Sequence, residues 1–143
     1  MSLYMNTKVN RVDKKGRVSV PAIYRSRIEA LDNPFKGVVL SRSDEEQCIV
    51  GYDMAYIQQS IETLKNATFD KTSGPGPFTP KWFRDIADLQ FDPNGRIIIP
   101  AKFREFANIN DRAVFSGCGY YFQIWNPEAY IASGGILDEE LCE

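Results

Sequence analysis

The chain carries short segments in which polar and apolar residues alternate, separated by residues that are typical of turns. Residues 7–12 alternate in this way, which predicts a half-buried strand. The next four residues, 13–16, are Asp-Lys-Lys-Gly, a composition that favours a hairpin turn. Residues 17–20 are predicted to form the returning strand, which Pro21 ends because proline cannot donate to a β-ladder. A helix over residues 22–30 is predicted to follow.

This block of sequence occurs twice. Residues 13–25 and residues 92–104 both read Asp-x-x-Gly-Arg-x-x-x-Pro-Ala-x-x-Arg, at a spacing of 79 positions. The apolar positions between the identical residues also match in kind. A repeat this specific indicates two copies of one supersecondary unit. The polar end of that unit, Asp-x-x-Gly-Arg, is therefore the first place to look for function.

Each copy continues with two more strand-like segments and a short helix that contains Ala-Tyr-Ile. These segments are residues 38–41, 48–52 and 55–57 in the first copy, and residues 113–116, 121–125 and 129–131 in the second. One copy alone has too few strands to cover its own apolar face. We therefore expect a mainly β, α+β fold in which two tandem pseudo-symmetric repeats interleave into a small barrel and remove their sheet edges.

The second copy differs from the first in three predicted details. Its turn, residues 92–95, is Asp-Pro-Asn-Gly and is an even stronger turn sequence. Residues 97–99 are three isoleucines, apolar on both faces, which predicts a strand more buried than residues 18–20. Residues 81–88 are predicted to form a short helix with Phe83 and Ala87 facing inward.

These patterns divide the chain into four segments. Pro and Gly are concentrated between the two copies, and acidic residues are concentrated at the end. We predict a first repeat over residues 4–71, a linker over 72–80, a second repeat over 81–131 and an acidic C-terminal tail over 132–143.

Composition narrows the possible classes of protein. The chain has 143 residues, of which 43% are apolar and 25% are charged, as in an ordinary soluble domain. It has no run of about 18 apolar residues, so no membrane span is predicted. Residues 1–6 lack the pattern of a signal peptide. We therefore expect a cytoplasmic protein.

Few residues in the chain suit catalysis or metal binding. Histidine is absent, which removes the usual general base and metal ligand. The three cysteines form no CxxC pair, and we expect no structural disulfide. The one dense group of carboxylates, residues 44–46, falls between two strand patterns, where a solvated turn is typical. We predict neither enzyme activity nor a cofactor.

Charge is distributed unevenly along the chain, although the net charge is only −2. Residues 1–27 hold seven basic residues and one acidic residue, a net charge of +6. Residues 29–70 hold three basic and eight acidic residues, a net charge of −5. The basic segment coincides with the first copy of the repeated signature. A basic face on an otherwise acidic protein favours binding to a polyanion such as DNA.

The Asp-x-x-x-Arg pairs provide a chemical reason for such binding. A guanidinium group can bond bidentately to a phosphate or to the edge of guanine. An aspartate across a tight turn can hold the arginine in one rotamer and so reduce the entropy lost on binding. The alternative, that each pair only staples its hairpin, stays open, more so in the second copy. The candidate DNA-binding residues are Lys8, Arg11, Asp13, Lys14, Lys15, Arg17, Asp92 and Arg96.

The duplicated signature, the position of the linker and the length of the chain resemble the MraZ family of bacterial transcription regulators. The resemblance covers essentially residues 4–131, and the ending Phe-Gln-Ile-Trp-Asn-Pro-Glu at residues 122–128 is also similar to that family. It implies two tandem halves related to the AbrB-type swapped-hairpin DNA-binding domain. The second copy has Pro93 and Asn94 where the first has Lys14 and Lys15, so we expect the first hairpin to dominate DNA contact.

The resemblance further implies a partner and an assembly. Members of this family bind short direct repeats in the promoter of the division and cell-wall gene cluster, which includes their own gene, and act mostly as repressors. They assemble into homo-oligomeric rings. The expected location is therefore the cytoplasm, in association with the nucleoid, and no membrane is involved.

An antitoxin of the AbrB or MazE type is the alternative function. Such proteins use a swapped-hairpin domain to bind DNA and an acidic tail to neutralise a toxin. The acidic residues Asp138, Glu139 and Glu140 fit this reading weakly. Antitoxins of this type usually carry one copy of the unit, whereas this chain carries two.

Overall fold

The two copies exchange strands, so that neither folds on its own residues alone. The computed structural model describes residues 3–65 and 77–138. In the first copy the elements are β1 (Thr7–Arg11), β2 (Arg17–Ser19), α1 (Ala22–Glu29), β3 (Gly37–Arg42), β4 (Ile49–Tyr52) and α2 (Met54–Lys65). In the second they are α3 (Pro80–Phe83), β5 (Ala87–Gln90), β6 (Arg96–Ile98), α4 (Ala101–Ala107), β7 (Arg112–Gly117), β8 (Phe122–Trp125) and α5 (Pro127–Ala132).

Six of these strands form one antiparallel sheet in the order β1-β7-β8-β4-β3-β5. Strand β1 of the first copy pairs with β7 of the second, and β5 of the second pairs with β3 of the first. The remaining strands, β2 and β6, pair with each other as a two-stranded ribbon. A bridge between Val12 and Val18 joins the end of β1 to β2, and β5 lies against β6. The predicted α+β, swapped-hairpin fold is confirmed.

The largest core lies between the ribbon, helices α1 and α4, and one face of the six-stranded sheet. Both copies contribute to it: Val18 and Tyr24 come from the first, and Ile97, Phe103 and Phe122 from the second. All five side chains are almost fully buried. Each copy therefore covers the apolar face that the other cannot cover alone, which accounts for the duplication.

The other face of the sheet carries two smaller apolar clusters. Tyr52, Ile57 and Phe78 form one beneath α2 and α3. Val9, Val114 and Trp125 form the other beneath α5. Helices α2 and α5 begin at side-chain N-caps: Asp53 accepts from the amide of Tyr56 at 2.7 Å, and Asn126 accepts from that of Ala129 at 3.0 Å.

The prediction of a helix over residues 81–88 is wrong. Helix α3 ends at Phe83, and residues 87–90 form strand β5. Phe83 is 42% exposed rather than facing inward, whereas Ala87 packs against the core. The repeat itself could have shown this, since a shift of 79 places Thr7–Arg11 of β1 on residues 86–90. The helical spacing of Phe83 and Ala87, four residues apart, hid the strand.

The prediction that residues 97–99 are more buried than residues 18–20 is also wrong. Ile97 and Ile99 are buried like Val18 and Val20, but Ile98 is 54% exposed. Alternation along a strand sends successive side chains to opposite faces, whatever their polarity. Ile98 is therefore an aliphatic side chain on the outward face of the ribbon.

The division of the chain at residues 71, 80 and 131 stays a prediction. Most of the predicted linker, residues 72–76, lies outside the described residues. So do the last five residues of the predicted acidic tail, residues 139–143, which include Cys142. Cys48 is buried and Cys118 half-buried, each with a free thiol. The carboxylates at residues 44–46 lie on a largely exposed bend between β3 and β4.

Candidate nucleic-acid interface

The first hairpin is built around one carboxylate. Oδ1 of Asp13 accepts hydrogen bonds from the backbone amides of Lys15 and Arg17, both at 2.9 Å. The turn closes with the Gly16 amide donating to the Asp13 carbonyl at 3.0 Å. Gly16 has φ +88°, a conformation that residues with a Cβ rarely adopt. Asp and Gly are thus both required by the turn, independently of any ligand.

The second oxygen of the same carboxylate holds the arginine. Asp13 Oδ2 lies 2.6 Å from Arg17 Nε, and the two side chains are 39% and 38% exposed. The second hairpin repeats this pair, with 2.9 Å between Asp92 Oδ2 and Arg96 Nε. Hydrogen bonds from the backbone amide and then the guanidinium of the arginine hold the pKa of each aspartate below its usual value. Both aspartates therefore remain charged partners at neutral pH.

Both arginines lie on the outward face of the ribbon. Arg17 of β2 is opposite Ile98 of β6, and Ser19 of β2 is opposite Arg96 of β6. Val18, which lies between Arg17 and Ser19 on β2, faces the core and is 1% exposed. The ribbon thus presents two arginines on a diagonal, separated by one aliphatic and one hydroxyl side chain.

The final arginine of each signature supports the hairpin of the other copy. Arg104 Nε donates to the Ile99 carbonyl at 2.9 Å, and a Cβ on Gly16 would lie 2.8 Å from that nitrogen. Correspondingly, Arg25 Nε donates to the Val20 carbonyl at 2.9 Å and its side chain covers Gly95. The signature therefore describes two hairpins that lock each other, with the Asp–Arg pairs left at the surface.

A cleft of about 500 Å³ runs beside the ribbon on the side of β1. We call it the ribbon cleft. Four arginines and two aspartates border it, together with Val12, Val18 and Ser19: Arg11, Arg17, Arg96, Arg112, Asp13 and Asp111. Four guanidinium groups around one opening produce a positive potential that favours anions.

The structure brings together only some of the predicted DNA-binding residues. Arg11, Asp13, Arg17 and Arg96 border the ribbon cleft. Lys14 and Lys15 are exposed at the tip of the first turn, and Asp92 lies on the second turn. Lys8 is half-buried on β1 opposite Phe115, away from the cleft.

Arg112 is the residue that the sequence did not reveal. It lies on β7 directly opposite Arg11 of β1, in the pairing between copies. Sequence reasoning had no signal for it, because it lies outside both signatures and reaches the site only through strand exchange. Only the register of β1 against β7 places Arg112 beside Arg11 at the ribbon cleft.

Two of the seven basic residues in the first segment do not contribute to a basic surface. Arg25 is bonded to the backbone and packed on Gly95. Arg27 is 8% exposed in its side chain, pairs with Asp53 at 2.6 Å, and lies over the ring of Tyr4 at 4.3 Å. Asp53 also accepts a hydrogen bond from the Tyr4 hydroxyl at 2.8 Å. These arginines stabilise the fold, so the count of +6 overstates the charge available to a ligand.

The described residues hold little that suits other chemistry. Between residues 3–65 and 77–138 there is no group of three or more His, Cys, Asp or Glu side chains that could hold a metal ion. No helix within those ranges is long and apolar enough to cross a membrane. Among the described residues, the ribbon is therefore the candidate functional site.

Comparison with known proteins agrees with this geometry. A family model described as "MraZ protein, putative antitoxin-like" matches residues 83–133. The transcriptional regulator MraZ of Rhodospirillum rubrum is 40% identical over 141 residues, covering 94% of this chain and 86% of the relative. Its namesake in Rickettsia akari is 35% identical over 133 residues, covering 91% and 85%. That of Rickettsia bellii is 33% identical over 147 residues, covering 98% and 94%.

The swapped hairpins and the names of these relatives define the class first: the protein is a transcription regulator and not an enzyme. More specifically, the chain belongs to the MraZ family, because relatives more than 30% identical align along most of both chains. The resemblance found in the sequence is confirmed.

Proposed function

We propose that this protein represses transcription by binding promoter DNA upstream of its own gene, within a division and cell-wall gene cluster, through the outward face of the ribbon. The observation that carries the proposal is the pair of surface arginines held by aspartates on a two-stranded ribbon. The major groove of B-DNA admits such a ribbon, and arginine pairs bidentately with guanine there. Holding Arg17 and Arg96 in place before binding reduces the entropy cost.

The first hairpin supplies more of the affinity than the second. Its tip carries Lys14 and Lys15, both exposed, where the second tip carries Pro93 and Asn94. Lysines at a turn reach phosphates on either side of a groove, and such contacts dominate the salt-dependent part of the affinity. Arg17 is therefore the principal reader, and the lysines next to it position the hairpin.

Affinity for promoter DNA comes from several subunits in one homo-oligomeric ring that contacts direct repeats. One ribbon offers few contacts, and linking several raises the effective concentration of each. Apolar side chains exposed away from the ribbon support self-association: Phe83 at 42%, Tyr120 at 47% and Ile131 at 55%. Such a regulator works at the nucleoid, in the cytoplasm.

The experiment is a binding titration of purified protein against labelled DNA from upstream of its own gene, with scrambled DNA of equal length as control. Selective binding that weakens steeply with salt is expected. Transcription from the same promoter should fall when the protein is added. Equal, weak binding to both DNAs would refute the proposed function.

A second candidate is an antitoxin, which the description of the matching family model favours. In that case the protein would bind DNA and also neutralise a toxin, with its acidic ending as the contact. A small protein that co-purifies in a fixed ratio, and whose toxicity this chain suppresses, would support it. Purification of the chain free of any partner, with selective DNA binding intact, would contradict it.

A further inference from the structure

The two hairpins are alike in their Asp–Arg pairs but unlike in the charges beside them. Next to β2, the last cross-strand pair of β1 and β7 is Arg11 opposite Arg112. At the matching place next to β6, the last pair of β5 and β3 is Gln90 opposite Gly37. One flank of the ribbon thus carries an arginine pair that the other flank lacks.

The flank with the arginine pair suits a phosphate. Arg11 and Arg112 border the ribbon cleft together with the two ribbon arginines, and both are exposed. Of the two aspartates there, Asp13 is already bonded to Arg17. The planar fork of arginine matches the oxygens of a phosphate, and two forks from adjacent strands can grip one group.

The opposite flank is not built for an anion. Ile98, 54% exposed, occupies the place that Ser19 holds on the basic flank. Gly37 cannot carry a side chain, since a Cβ there would lie 2.1 Å from the carbonyl oxygen of Leu89. The asymmetry is therefore fixed by packing, in addition to residue choice.

One basic residue near that flank, Lys36, is directed elsewhere. Its ammonium group donates to the carbonyls of Leu31 at 2.8 Å and Glu29 at 3.2 Å. Both carbonyls lie at the C-terminal end of α1, where a cation also complements the helix dipole. Lys36 therefore caps a helix and does not restore the balance of charge between the flanks.

We propose that Arg11 and Arg112 form a clamp for one backbone phosphate of the DNA, on the β1 flank only. The clamp gives each subunit a single orientation on the duplex, despite the pseudo-two-fold symmetry of the ribbon. This inference rests on the proposed function, since it assigns a phosphate contact and a direction to the same DNA interface. It also explains how a nearly symmetric reader selects repeats that all run the same way.

The test uses a duplex with a single binding site from upstream of the protein's own gene. One neutral methylphosphonate replaces each phosphate in turn, and the dissociation constant is measured for the full chain and for Arg112→Ala. In the unsubstituted protein, a replacement on one flank of the site should weaken binding about tenfold. The same replacement should have little further effect on Arg112→Ala, because the contact is already lost.

Gln90→Ala is the control on the opposite flank, because Gln90 occupies the place there that Arg11 holds beside Arg112. It should keep the interference pattern of the unsubstituted protein. Arg112 is exposed, so Arg112→Ala should still fold, and thermal unfolding of the variant checks this. The inference is overturned if binding by Arg112→Ala is weakened by the same phosphate replacements as binding by the unsubstituted protein. It is also overturned if replacements that weaken binding lie symmetrically on both flanks of the site. If the full chain does not bind the unmodified duplex selectively, the proposed function itself is refuted.

Discussion

Asp13 illustrates, at the scale of one residue, how a structural and a functional requirement share a side chain. Oδ1 closes the turn by accepting two backbone amides, and Oδ2 holds the guanidinium of Arg17. The two roles can be separated by substitution, because asparagine keeps one carbonyl oxygen but presents an amide group to the arginine. The choice between a hairpin staple and a preorganised DNA contact, open from sequence, is therefore testable.

Asp13→Asn should weaken binding to promoter DNA severalfold, since Arg17 must then be ordered on binding. The measurement is a titration at constant salt, with Asp92→Asn as the matched control, for which a smaller loss is expected. Tighter binding by Asp13→Asn would contradict the account, because it would show that removing a negative charge outweighs the ordering of the arginine.

The same pairs predict a dependence of stability on pH. The pKa of Asp13 and of Asp92 is lower in the folded protein than in the unfolded chain, where it is about 3.9. Their contribution is therefore complete above that value and is lost as the pH falls through the lower, folded pKa. Denaturant titrations between about pH 2.5 and 5 should show a steeper acid loss for the native chain than for the double variant Asp13→Asn, Asp92→Asn. Equal slopes would show that these pairs do not stabilise the fold.

At the scale of elements, each hairpin turns at a glycine against which an arginine of the other copy of the repeat packs. Gly16 and Gly95 have positive φ, and a Cβ at either would meet the crossing arginine, Arg104 or Arg25; at Gly16 it would also meet the backbone carbonyl of Ile99. Conformation and crowding thus demand glycine for separate reasons. The sequence showed these glycines as turn residues, but their contact with the other copy depends on strand exchange.

Gly16→Ala should lower the free energy of unfolding by about 1–3 kcal/mol, because the alanine adopts a strained φ and its Cβ meets the carbonyl of Ile99 at 2.8 Å. Gly119→Ala is the matched control: its φ is +91°, yet nothing lies within 4 Å of its Cβ. Chemical denaturation should give a larger loss for Gly16→Ala. Equal losses would show that crowding by the partner copy contributes nothing.

Asp53 connects three elements through one carboxylate, and its removal should be costly. It caps α2, pairs with Arg27 of α1 and accepts from Tyr4, with its side chain 2% exposed. Asp53→Ala should destabilise the protein by about 3–5 kcal/mol, because it breaks a buried ion pair and removes the acceptor of the Tyr4 hydroxyl and the cap of α2 at the same time. Asn126→Ala removes a cap and one exposed hydrogen bond to the Asn108 carbonyl, and should cost about 1 kcal/mol by the same denaturation measurement. Similar costs for the two variants would contradict the role of the ion pair.

At the scale of the whole molecule, the duplication made the fold class and the two Asp–Arg pairs predictable. The pairing of the strands was less predictable. Strand β5 was missed because the spacing of Phe83 and Ala87 resembled that of a helix, although the strand is the equivalent of β1. Arg112 was missed because its place beside Arg11 depends on a pairing across about 100 residues. The buried roles of Arg25 and Arg27 were hidden, since charge alone does not tell whether a side chain faces solvent.

The central claim is that the first hairpin binds promoter DNA through Arg17, and one comparison tests it most directly. Affinity for DNA from upstream of the protein's own gene is measured for the native chain, for Arg17→Ala and for Arg96→Ala, with thermal unfolding of each. Arg17→Ala should lose about 1–3 kcal/mol of binding free energy and Arg96→Ala less. Both variants should fold and unfold at only slightly lower temperatures, since each loses one exposed ion pair. An Arg17→Ala variant that binds this DNA as tightly as the native chain would contradict the account.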